Sequence, residues 1–101
     1  MLNIEIEKAD GVLRATLSGR LNNLTSKEFS QRIQAESEGV HRIELDFANL
    51  EYISSAGLRI LLAIQEHMES IGGESVCVYN ATEMVRDTLE MTGFWGVINV
   101  E

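Results

Sequence analysis

The sequence predicts a single α/β domain with a mixed sheet of four to five strands and helices mainly on one face. Three observations lead there. Apolar and polar residues alternate at Leu2–Ile6, Leu13–Leu17 and Ile43–Phe47, the period of half-buried strands. Helical periods follow the second and third of these runs. The strands alternate sharply with charged residues, whereas a sheet covered on both faces would show continuous apolar runs.

In chain order, Leu2, Ile4 and Ile6 define the first strand, and Lys8–Gly11 a hairpin turn built on Asp-Gly. Leu13, Ala15 and Leu17 define the second strand, and Ser18–Asn23 a loop. Thr25 and Glu28 form a capping box that starts the first helix, with Leu24 and Phe29 as its hydrophobic staple. This helix runs to about Ser37, buries Phe29 and Ile33, and ends at Gly39 as C-cap. Arg42–Phe47 is the third strand, paired in parallel with an earlier one, and Ala48–Tyr52 is a polar-rich loop.

After Ser55 the period is helical. Leu58, Ile60, Leu61, Leu62, Ile64, Met68 and Ile71 fill an arc of roughly 200°, wider than one core face needs. Its flank at Leu58 and Leu62 projects close to Ser55 and is expected to be partly exposed. Gly57 is expected to lie close against the sheet. Gly72-Gly73 ends the helix, and Ser75–Tyr79 is the fourth strand. Asn80 with Glu83 starts the last helix, which faces Val85 and Leu89 inward and ends at Gly93. Phe94 and Trp95 pack back onto the domain, and Val97–Val100 forms a short final strand.

The totals restrict function. A chain of 101 residues, 45% hydrophobic and 24% charged, buries a core as one domain over residues 1–101. No apolar run approaches the roughly 18 residues of a membrane span. No secretory signal is visible, and Cys77 is the sole cysteine. Both point to a reducing cytoplasm. A formal charge of −8 disfavours nucleic acid and anionic membranes and favours partners with basic patches. His41 and His67 lack companions at ligand spacing, so no metal site is read. No catalytic triad or phosphate-binding glycine loop is legible, and no enzyme is expected.

The chain is organised around Leu45–Leu62, a strand, a loop, two serines and a helix. Free backbone N–H groups at such a junction favour an anion, such as a phosphate on a serine. By position alone, Ser54 or Ser55 is a helix cap. Asp46, Ser54-Ser55-Ala56-Gly57-Leu58-Arg59 and Leu61-Leu62 resemble the signature of the anti-sigma factor antagonists of the STAS domain family. Gly19-Arg20-Leu21-Asn22 resembles that family's Gly-x-Leu-Asp motif, and the resemblance covers nearly the whole chain.

It implies the STAS fold, and a binding protein that engages an anti-sigma factor which is also a serine kinase. Phosphorylation at Ser55, with Ser54 as the competing acceptor, would switch the protein off. Asn22, Ser54, Ser55, Leu58, Arg59 and Leu62 are the implied partner-binding residues. This chain needs no cofactor, since ATP and Mg²⁺ belong to the kinase, and a serine phosphatase is a further implied partner. Ser54 and Asn22 stand where many relatives carry Asp. The alternative is a constitutive STAS accessory subunit of a transport or sensor complex, in which Ser55 only caps the helix.

Overall fold

The computed structural model describes residues 2–101, apart from the Trp95 side chain. The elements are β1 (Leu2–Ala9), β2 (Val12–Leu21), α1 (Asn23–Glu36), β3 (Arg42–Ile53), α2 (Ser55–Ser70), β4 (Cys77–Tyr79), α3 (Glu83–Met91), a 3₁₀ turn (Phe94–Gly96) and β5 (Asn99–Val100). The five strands lie in sequence order. β1 and β2 are antiparallel and the remaining pairs are parallel.

Asp10 and Gly11, at φ 53° and 79°, make the two-residue turn between Ala9 and Val12. Two successive positive φ values match the strand twist in a tight hairpin, which explains the Asp-Gly pair. The Gly11 carbonyl accepts from the backbone N–H groups of His41 (2.8 Å) and Arg42 (3.3 Å), tying the hairpin to the start of β3.

One face of the sheet makes the core. Ala15, Leu45 and Val78 are register partners across three strands, and all are fully buried. Phe29 and Ile33 of α1, Leu61, Ile64 and Met68 of α2, and Val85 and Leu89 of α3 pack in the same cluster. The neighbouring register set, Arg14, Glu44 and Cys77, faces the other way. There Glu44 Oε1 accepts from Arg14 at 2.6 Å and Glu44 Oε2 from Arg42 at 2.8 Å. Arg42 also donates to Glu74 (2.9 Å) and to the Tyr79 hydroxyl (3.1 Å). Helices on one face and a polar network on the other are what the alternating strands predict.

Both expected loops beside the central strands are instead strand. β2 runs on through Ser18–Leu21 and β3 through Ala48–Ile53, and the two extensions pair with each other. Ser18 meets Asn49, Arg20 meets Tyr52 and Leu21 meets Ile53, with register shifts between Thr16 and Ser18 and between Gly19 and Arg20. Each shift puts one extra residue on β3, a β-bulge. Buried Phe47, Leu50 and Ile53 are therefore three apart rather than two, and the alternation that marks a strand disappears.

The caps differ as well. Asn22, not Thr25, is the N-cap of α1, and Thr25 fills the reciprocal position of that box. Leu24 is 82% exposed, so no staple forms with Phe29. Ser37 occupies the C-cap position two residues before Gly39, while Gly93, at φ 82° directly after the C-cap Thr92, ends α3 as expected. Thr82 rather than Asn80 caps α3, where its Oγ1 accepts from the Val85 N–H at 3.4 Å. β4 begins at Cys77 because the Val76 N–H donates to Gln65 Oε1 at 2.8 Å instead of to a strand. β5 is two residues long, since Val97 and Ile98 both donate to the Phe94 carbonyl. Phe94 is half-buried against the core, as expected. The expected packing of the Trp95 side chain lies outside the described residues.

Candidate functional site

The site forms where β3 passes into α2. Ser54 is the single residue between them, held by its N–H to the Leu21 carbonyl at 2.8 Å. Its side chain accepts from the Gly57 N–H at 3.3 Å, and its carbonyl from the Leu58 N–H at 2.9 Å. Ser54 is therefore the N-cap and Ser55 the first helical residue. Ser55 is exposed, and among the described residues its hydroxyl has no hydrogen-bond partner. A negative group added there would meet the favourable end of the helix dipole.

Gly57 fixes how this helix start sits. A Cβ at Gly57 would stand 2.8 Å from Ile53 Cγ1 and 3.0 Å from Leu21 Cδ2. The first turn of α2 thus rests directly on the ends of β2 and β3, as close backbone approach at Gly57 predicts.

Ser55, Leu58, Arg59 and Leu62 project within about 100° of one another at 100° per residue, so they form one stripe along α2. Ser55, Arg59 and Leu62 are exposed and Leu58 is half-buried against the core. The wide apolar arc is thereby divided. Leu61, Ile64 and Met68 enter the core, while Leu62 and Ile71 stay 39% and 51% exposed. Buried Gln65, which ties α2 to Val76, was not foreseen from the apolar pattern.

Asn22 stands beside Ser54 in a shallow depression completed by Asn23, Leu24 and Tyr52. Its Oδ1 accepts from the N–H groups of Leu24 (3.1 Å) and Thr25 (3.0 Å). That oxygen is engaged in holding α1. The structure therefore sets Asn22 and Ser54, as helix caps, beside one another, and Ser55, Leu58, Arg59 and Leu62 as a stripe running from there along α2.

Three residues of this surface escaped the sequence reading. The apolar pattern puts Leu24 in a staple and Tyr52 in a loop. Arg20 sits over the Tyr52 ring, its guanidinium carbon 4.7 Å from the ring centroid. The pair exists because the two are register partners across the bulged strands. Asp46, by contrast, is structural. Its Oδ1 accepts from the Ala48 N–H (3.0 Å) and the Asn80 side chain (3.4 Å). Among the described residues no cluster of histidine, cysteine and carboxylate side chains could hold a metal ion. Nor is any described helix long and apolar enough to cross a membrane.

Comparison with known proteins agrees with this architecture. The profile of the STAS domain matches residues 3–101, and the chain belongs to that family. It is 32% identical over 100 residues to BtrV of Bordetella bronchiseptica, whose name describes a candidate anti-sigma factor antagonist; 98% of this chain and 85% of that protein are covered. It is 34% identical over 107 residues to an anti-sigma F factor antagonist of Paenibacillus polymyxa, covering 98% and 86%. The fold superposes on unphosphorylated SpoIIAA with a TM-score of 0.85 at 18% identity, over 98% of this chain and 88% of that one. Anti-sigma factor antagonists of the STAS family are binding proteins, not enzymes.

Proposed function

We propose that this protein is an anti-sigma factor antagonist. It binds an anti-sigma factor that is also a serine kinase, frees a sigma factor for transcription, and lets go once Ser55 is phosphorylated. The supporting observation is the exposed Ser55 hydroxyl at the first position of α2, inside an exposed stripe that a partner can cover. The curated relatives named as antagonists support the general role.

The physics of the switch is local. A phosphate adds about −1.5 to −2 charge at the helix start, where it is tolerated. Covering that charge with a partner that cannot neutralise it costs several kcal/mol, and about 1.4 kcal/mol is already tenfold in affinity. Release therefore requires no refolding. ATP and Mg²⁺ are bound by the kinase, a serine phosphatase resets the switch, and the cycle runs in the cytoplasm without contact to nucleic acid.

The test is intact-mass and peptide mass spectrometry after incubation with the source organism's anti-sigma kinases and Mg-ATP. One phosphate is expected, lost in Ser55→Ala and kept in Ser54→Ala, with weaker kinase binding once attached. Loss in Ser54→Ala alone moves the acceptor by one residue. No modification at all, with tight binding to a transport or sensor complex, would replace this reading by the constitutive accessory subunit.

A further inference from the structure

The molecule is acidic, with a formal charge of −8, yet the helix starts that meet at Ser54 and Ser55 carry no acidic residue. Arg59 follows Ser55 by one turn on the exposed stripe. Arg20 is held above Tyr52, beside the depression that contains Ser54. Among the described residues neither arginine is in an ion pair, whereas Arg14 and Arg42 are tied to Glu44 and Glu74. No acidic residue occupies the first turn of α1 or of α2. The cap positions Asn22 and Ser54 are uncharged. Lys27 and Glu28, one turn beyond Leu24, offset each other, and Glu66, the one carboxylate on the stripe other than Glu69, lies about three turns beyond Ser55. Glu51 lines a separate depression with Asn3 and Asn49.

Large apolar side chains stand among these cations. Leu24 is 82% exposed, Leu62 39% and Tyr52 36%. A site for a small anion has no use for them. A protein interface does, because apolar anchors at its centre and charges at its rim are the usual division of labour.

Resting on the binding role proposed above, we infer that this face docks onto an acidic protein surface, on which carboxylates pair with Arg20 and Arg59 while Leu24, beside Ser54, and Leu62, along α2, make separate apolar contacts. The overall charge had suggested the opposite, a basic partner patch. The local arrangement decides, because beyond about 8–10 Å charges are largely screened at physiological salt. The same arrangement sharpens the switch. A phosphate of about −1.5 to −2 on Ser55 cancels two arginine charges, so the modified face loses the sign that its partner matches.

Two measurements test this. In the first, binding to the anti-sigma kinase that captures the wild type is compared for Arg20→Gln, Arg59→Gln, Leu24→Ala and, as control, Arg32→Gln. Each of the first three is expected to weaken binding about 5- to 20-fold, since rim charges steer and apolar anchors hold, while Arg32→Gln binds as wild type. Arginine variants that bind as tightly as the wild type, or more tightly, overturn the inference and leave the antagonist role standing. The second needs no partner. Amide relaxation by an anionic and a cationic nitroxide is compared by NMR. Excess anionic effect is expected near Leu24, Ser55 and Arg59, and is lost in the Arg20→Gln, Arg59→Gln double variant. A cationic excess there, as over the rest of an acidic surface, overturns the inference even if no kinase binds and the antagonist role itself fails.

Discussion

Adjacent serines end up with different chemistry because one residue of helix phase separates them. Ser54 turns its oxygen to the Gly57 N–H, and Ser55 turns outward. The sequence alone names the pair but leaves the division open, since either serine suits a cap. Gly57 is the residue that holds the phase. In Gly57→Ala the new methyl would press on Ile53 and Leu21. Overpacking of this kind costs about 1–3 kcal/mol, against a helix-propensity gain of about 1 kcal/mol. A net loss of about 1 kcal/mol is expected, read as a lower urea midpoint. A midpoint equal to the wild type would mean that the close approach carries no energetic weight.

Elements show where sequence reading succeeds and where it fails. The hairpin, the alternating halves of β2 and β3, and the apolar stripes of the three helices were legible because each repeats a short period. The bulged halves of β2 and β3 were not. An inserted residue shifts the pleat, so Leu50 and Ile53 read as scattered apolar residues in a loop. The same bulges conceal Arg20 and Tyr52, whose contact depends on the pairing, whereas helical spacing suffices to set Leu58 and Leu62 beside Ser55. The cap of α1 lies one turn earlier than the sequence suggests, because Thr25 and Glu28 imitate a box that Asn22 and Thr25 in fact make. Asn22→Ala should therefore destabilise by about 1 kcal/mol. Asn22→Asp keeps the acceptor and adds charge at the helix start, a gain of about 0.3–1 kcal/mol. Thermal unfolding of both variants checks the order Asp, Asn, Ala. Equal loss in both would sink the capping assignment.

At the scale of the whole molecule, the sheet is closed by helices on one face and by ion pairs on the other. Glu44 sits at the centre of the polar face, 9% exposed, and hydrogen bonds from Arg42 and then Arg14 hold its carboxyl below the usual range. The unfolded reference lies near pH 4.3. A carboxylate lowered on folding stabilises the fold above that pH, and the contribution is lost as pH falls through the folded value. Glu44→Gln should thus be less stable than the wild type at pH 7, with the gap narrowing in acid. Urea titrations at pH 7 and pH 3 measure it. A gap that stays constant would show that Glu44 acts by shape alone.

The passage from β3 to α2 through one residue has a consequence for how such a surface can change. Helix phase is counted directly from the strand, since Ser54 is pinned to Leu21 before α2 begins. A residue inserted after Ser54 would turn every later side chain about 100° and advance it about 1.5 Å along the axis. The present stripe would rotate away and another set of side chains would take its place. Lineages can therefore retune this surface by substitution, one contact at a time, while a change of length at the junction replaces the whole surface in a single step.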